Sequence, residues 1–164
     1  MPLPDAERLC AALAESLRGE LAANAALVGI HTGGVWVAER LHAALGLKTP
    51  LGRLDISFYR DDFNRSGLHA RLKSSEIPFE VTDRAIVIVD DVLYTGRTIR
   101  AAMNEIFDYG RPARIDLAVL VDRGGRELPI QPRWCAHAMS LAPEQNLQLE
   151  QGADGRLELR LAHA

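Results

Sequence analysis

The chain has 164 residues, 48% of them hydrophobic, which is enough for one domain spanning 1–164 with a sizeable core. Its 19 basic and 22 acidic side chains leave a net charge of −3, which does not mark a nucleic-acid binder, though a local basic patch is compatible with it. Two cysteines, Cys10 and Cys135, are too few for a disulfide framework or a zinc site, and no signal peptide or membrane span is evident, so a reducing, cytoplasmic setting without membrane contact is expected.

From Asp5 to Leu21 the residues Leu9, Ala12, Leu13, Leu17 and Leu21 recur at helical spacing, which predicts an amphipathic helix. Cys10 lies beside that stripe as a small core or boundary residue. Leu27–Ile30 reads as a short buried strand and His31-Thr32-Gly33-Gly34 as a turn. Val35–Leu45 reads as a helix with Val37, Leu41, Ala44 and Leu45 on one face and Gly46 as its C-cap. A strand, a Gly-Gly turn and a helix N-terminus can cradle an anion, and the same pattern also describes an ordinary strand-to-helix turn. His31 reads as either an anion contact or a surface residue.

Leu51–Tyr59 alternates apolar Leu54, Ile56 and Phe58 with Asp55 and Ser57, as a strand does. The polar stretch from about 60 to 78 interleaves opposite charges without a helical period. A connection of that length is either a solvated loop or a flap that closes over a site and excludes water.

Ile86–Val89 is apolar on both faces and reads as a buried, parallel strand. Asp90 and Asp91 follow, placed just past its carboxyl end, where open α/β sheets bind ligands. Tyr94, Thr95, Gly96, Arg97 and Thr98 then lead into a helix over Thr98–Tyr109 with Ile99, Ala102, Met103 and Ile106 on one face, stopped by Gly110 and Pro112. The helix N-terminus offers unpaired N–H groups and positive dipole, Gly96 allows close backbone approach, and the threonines add hydroxyls. Carboxylates for sugar hydroxyls beside a phosphate cradle describe a ribose-5-phosphate site.

Ile115–Val121 is a further apolar strand, interrupted by Asp116, with Asp122–Glu127 facing the site from its end. Leu128–Pro132 is an extended connection, because its prolines cannot donate to a ladder. Trp134–Leu141 reads as another strand, its Trp134 and Cys135 forming either one wall of a base pocket or part of the core. Leu147–Leu149 and Leu157–Leu161 flank a Gly152–Gly155 turn and predict a hairpin that caps an edge without chemistry.

The thirteen-residue string Ile86–Thr98 resembles the phosphoribosyl-diphosphate (PRPP) motif of type I phosphoribosyltransferases. Nearly the whole chain resembles the PyrR family, pyrimidine-operon attenuators with uracil phosphoribosyltransferase activity. The strings that carry this are Gly29–Thr32, Leu54–Asp62, Val89–Thr98, and Leu120–Gly124 with Arg126–Ile130. The resemblance implies an α/β fold of type I, a mostly parallel central sheet flanked by helices, with a flap at about 60–78 and a small hood at about 122–164. It implies uracil and PRPP as substrates, UMP as product, Mg²⁺ bound mainly through PRPP, a homodimer or higher homo-oligomer, and leader RNA of a pyrimidine operon as a possible partner. Asp90 and Asp91 would hold the ribose hydroxyls. Tyr94–Thr98 would bind the 5′-phosphate. Thr32, Gly33 and Gly34 would hold pyrophosphate, through one strained or cis peptide, with Arg60 and Arg123 neutralising it.

Tyr94 stands where purine phosphoribosyltransferases carry an acid, so a pyrimidine is the expected base. The chain departs from the family at Gly33, where an Arg is common, at Gly125, where a His is common, and at Trp134-Cys135-Ala136, where a Tyr-Val-Gly segment is usual. The Arg111–Arg133 segment is only mildly basic, which weighs against RNA affinity. The rival readings are a nucleotide-sensing RNA regulator with weak catalysis and a purine salvage transferase.

Overall fold

The computed structural model describes residues 2–56 and 75–163. Helix α1 (Ala6–Leu17) starts where the Asp5 carboxylate accepts the Glu7 and Arg8 N–H groups, at 2.9 and 3.2 Å. It stops short of the expected Leu21, because Arg18 is extended and Gly19 takes a positive φ of 81°. Strand β1 (Ala26–Ile30) feeds α2 (Gly33–Leu45), which begins two residues earlier than its apolar period suggests and ends at left-handed Gly46. Gly34, Val35, Val37, Ala38 and Leu41 form its buried face, whereas Ala44 is exposed.

Strand β2 (Gly52–Leu54) is shorter than expected. Leu54 and Ile56 are buried as the alternation requires, while the remainder of the predicted strand, from Ser57 to Tyr59, lies outside the described residues. So do Arg60 and the flap as far as Ser74. The chain returns at Ser75, and Glu76 makes an antiparallel bridge with Arg53.

Strand β3 (Ala85–Leu93), α3 (Arg97–Phe107), β4 (Arg114–Asp122) and β5 (Trp134–Ala138) complete the layer. Among the described residues the sheet is five-stranded, in the order β2-β1-β3-β4-β5, and every pairing is parallel. Val87 and Val89 pack with α1 and α2 on one face; Ile86 and Ile88 pack with α3 on the other. That two-sided burial is why β3 reads as an unbroken apolar run rather than an alternation. The strand order reverses between β1 and β3, so a crevice opens at their carboxyl ends.

The tail is the expected hairpin, β6 (Gln145–Gln151) paired antiparallel with β7 (Leu157–His163). It is anchored by charge. Arg40 of α2 grips the Glu7 carboxylate through two N–H groups, at 3.2 and 3.1 Å, and donates to Gly155 O at 2.8 Å. Glu7 also accepts from Leu157 N at 2.7 Å, and Arg156 pairs with Asp5 at 2.8 Å. The Arg40 hydrogen bonds hold the Glu7 carboxyl below the ordinary Glu value. A carboxyl lowered in this way stabilises the fold fully above its ordinary pKa, and the benefit vanishes as pH falls through the folded value. Glu7→Gln should therefore cost about 1–2 kcal/mol at neutral pH. Urea titrations across the acid range should show the gap between the two proteins closing as the wild type gains its proton.

Candidate functional site

The crevice at the ends of β1 and β3 is a cleft of about 470 Å³. One wall is the turn at His31, Thr32 and Gly33; the floor is Asp90, Asp91 and Val92; Tyr94 and Thr98 come from the following loop; Arg123 comes from the end of β4. The roof is β6, through Asn146, Leu147, Gln148 and Leu149.

The two aspartates lie within β3 rather than past its end. The ladder to β4 continues through Asp90↔Val119, Val92↔Val121 and Leu93↔Asp122, because β4 is long enough to keep pairing. Asp90 is 5% exposed, and its Oδ1 accepts the Asp91 N–H at 2.9 Å. Asp91 Oδ1 accepts the Val92 N–H at 2.8 Å. Its other oxygen points at the turn, where a Cβ built on Gly33 would lie 2.2 Å from Asp91 Oδ2 and 2.7 Å from its Cγ. A Cβ on Gly34 would lie 2.6 Å from Val89 O. The expected cis bond is present, at His31–Thr32.

The loop after β3 is braced from behind. Thr95 O accepts from Glu127 N and Leu128 N, at 2.9 and 3.1 Å, and Thr95 Oγ1 accepts from Arg97 N at 3.2 Å. Gly96 has φ 97°, a region closed to most side chains, and a Cβ there would sit 3.0 Å from Ile130. The loop thus reaches α3 with its N–H groups grouped at the helix start, the arrangement that suits an anion. Arg97 is tied outward to Glu127 at 2.9 Å. Behind it Asp122 takes a two-pronged grip from Arg126, at 3.0 and 2.7 Å, and those bonds hold the Asp122 carboxyl below its usual range.

Several expected site residues stand elsewhere. Trp134 is 6% exposed, buried in the core with α1, and donates its indole N–H to Glu20 at 2.9 Å. Cys135 points to the opposite face and its thiol donates to His137 O at 3.2 Å. Both pair with β4 at Ala118 and Val119, below the cleft, so neither lines it, and the core reading of Trp134 holds. Arg123 does line the cleft, but its Nη1 and Nη2 are spent on Gln145 O and Ala142 O, at 2.8 and 3.1 Å.

The hairpin read as an edge cap without chemistry instead covers the cleft, through the exposed amides Asn146 and Gln148. The legible signal was their lack of charge, on the exposed positions of a strand whose Leu147 and Leu149 are buried.

Residues 2–136 match the family model of the phosphoribosyl transferase domain. A parallel sheet with paired acids on its central strand and an anion-binding loop at the next helix is that of a type I phosphoribosyltransferase. The chain is 60% identical over 126 residues, 76% of this chain and 71% of the relative, to the bifunctional protein PyrR of Nitrosococcus oceani. It is 49% identical to that of Pseudomonas paraeruginosa, with 98% of this chain and 97% of the relative covered. The chain belongs to the PyrR family. Among solved structures it is similar to the purine phosphoribosyltransferase of Pyrococcus horikoshii, with a TM-score of 0.58, 28% identity, and 81% and 82% of the two chains covered. The fold also matches a Leishmania tarentolae HGPRT-ase, with a TM-score of 0.63, 18% identity, and 87% and 82% coverage.

Gly33→Ala should push the Asp91 carboxylate off its position. Isothermal titration with PRPP should show affinity lowered about tenfold or more, while the melting curve moves little, since the clash falls on a side chain and not on the core.

Proposed function

We propose that the protein joins uracil to PRPP, giving UMP and pyrophosphate, and that it also regulates pyrimidine genes. The observation that carries the catalytic reading is the placement of Asp90 and Asp91 on β3, directly under a side-chain-free turn at Gly33 and beside the Thr95–Thr98 loop. A ribose with phosphate at one end and pyrophosphate at the other spans that triangle.

In this reading Asp91 and Asp90 hold the ribose hydroxyls. Their charge favours the cationic sugar that develops as pyrophosphate departs, and preorganised charge of this kind is worth more than a flexible contact. Tyr94, Thr95, Gly96, Arg97 and Thr98 bind the 5′-phosphate through backbone N–H and hydroxyl groups. Thr32, Gly33 and Gly34 take the pyrophosphate on the α2 N-terminus, with Arg60 as a candidate cation.

No three His, Cys, Asp or Glu side chains converge on a metal position among the described residues. The Asp91 carboxylate, which lines the cleft beside the Gly33 turn, nevertheless suits a cation that arrives with PRPP, as Mg²⁺ prefers. Asp91 would hold such a cation, which would supply charge neutralisation to the leaving pyrophosphate. No general base is evident among the described residues, and in this reading the uracil N1 proton goes to water or to the departing pyrophosphate.

Tyr94 cannot act as the acid a purine N7 calls for, which favours uracil over a purine. For the regulatory half, leader RNA is the proposed partner, with UMP as the signal. The protein would act in the cytoplasm as a homodimer or higher homo-oligomer. Arg114 and Arg133 share Asp116, and Arg126 is engaged with Asp122, so the RNA-facing charge is partly neutralised within the chain. The dependence of RNA affinity on salt should accordingly be shallow.

Two measurements test the reading. Asp90→Asn with Asp91→Asn should lower kcat/KM by on the order of a thousandfold. Wild-type turnover in that double variant would remove the ribose assignment. In a PRPP-consumption assay against a panel of bases uracil should win, and hypoxanthine or guanine outrunning it would replace the base.

A further inference from the structure

Arg123 directly follows β4 and is 5% exposed, an expensive place for a guanidinium without partners. Its Nη1 and Nη2 donate to Gln145 O and Ala142 O, where the chain turns into β6. Its Cζ lies 3.9 Å from the centre of the Tyr94 ring. Its Nε has no hydrogen-bond partner among the described residues, and the π face beneath the guanidinium is an acceptor that such an N–H can use.

Tyr94 is held on other sides too. Arg126 Nη1 donates to its carbonyl at 2.9 Å. Gly125 has φ 78°, and a Cβ there would fall 2.4 Å from Tyr94 Cε1, so the ring edge rests against backbone. A ring clamped by a cation and by backbone has little room to swing. The rest of it, 36% of the residue's surface, is exposed at the cleft opposite β6.

We propose that Arg123 is a positioning residue for the base: it clasps the β6 roof to the Tyr94 ring, and that ring is the specificity wall that sizes the slot for a one-ring base. The inference rests on the uracil reading above. It differs from the expected role of Arg123 as a cation for pyrophosphate, in that one N–H of each terminal nitrogen is engaged by a carbonyl at the start of β6. On this reading a fused two-ring base would press on a Tyr94 ring that the Gly125 backbone does not let recede.

The test is steady-state kinetics with uracil, hypoxanthine and PRPP on the full chain. Arg123→Met and Tyr94→Leu should each raise the uracil KM about tenfold and narrow the preference over hypoxanthine, with the PRPP KM moving about twofold or less, because Tyr94 reaches the 5′-phosphate through its backbone N–H, which leucine keeps. The double variant should be no worse than the worse single one, since both remove the same clasp. Tyr94→Phe, which keeps the ring, should regain most of what Tyr94→Leu loses.

Equal rises in the uracil and PRPP KM values for Arg123→Met would overturn the proposal in favour of a pyrophosphate role. Effects that multiply in the double variant would overturn it too. If Arg123→Met does not fold, the Tyr94 pair decides, and an unchanged uracil KM in Tyr94→Leu overturns the wall. Wild-type protein that makes no UMP from uracil would defeat the functional reading itself, a result separable from failure of the clasp alone.

Discussion

The turn at Gly33 and Gly34 approaches β3 so closely that no side chain fits between them and the two aspartates. Almost everything about the cleft depends on that approach. It sets where α2 begins, because the helix starts within the turn, and it leaves the Asp91 carboxylate facing open space. The absence of a side chain at Gly33, where the resembled family commonly has an Arg, is here a steric requirement of the neighbouring acid. A chain with this placement of Asp91 cannot also carry a bulky residue in the turn without moving one of them.

A second theme is how arginine is used. Among the described residues, few of the guanidiniums near the cleft are free of hydrogen bonds. Arg126 is spent on Asp122 and on backbone carbonyls, Arg97 on Glu127, and Arg123 on the β6 turn and Tyr94. These side chains act as struts that hold loops in register, a task for which a planar fork with several donors is better suited than lysine. Among the described residues, the positive potential at the cleft therefore comes largely from helix starts and backbone N–H groups, which cost nothing to orient.

Much of this was legible in the amino-acid order. The apolar run Ile86–Val89, the turns at Gly33 and Gly96 and the helix after Thr98 all appear where periodicity and turn chemistry put them. What escaped were features set by partners distant in the chain. The length of β3 depends on β4, so its aspartates could not be recognised as strand residues from their own neighbourhood. Trp134 reads as a wall or as core equally well until α1 and Glu20 are placed over it. The hairpin looks like a bystander because its exposed cleft residues are plain amides, and its anchors on Arg123, Glu7, Arg40 and Asp5, each far away in sequence, bring it over the cleft.

Those anchors also have a bearing on synthesis. The sheet and both glycine turns at the cleft are encoded before residue 139, whereas the roof is encoded from Gln145 onward and latches back onto Asp5, Glu7 and Arg40. A chain emerging from the ribosome acquires its floor first and stays open above it, with Leu147, Leu149, Leu157 and Leu159 not yet there to cover the apolar surface they later bury. Competence to enclose a small molecule therefore arrives as a late step in vectorial folding, and it is gated by the meeting of the first helix with the final strands.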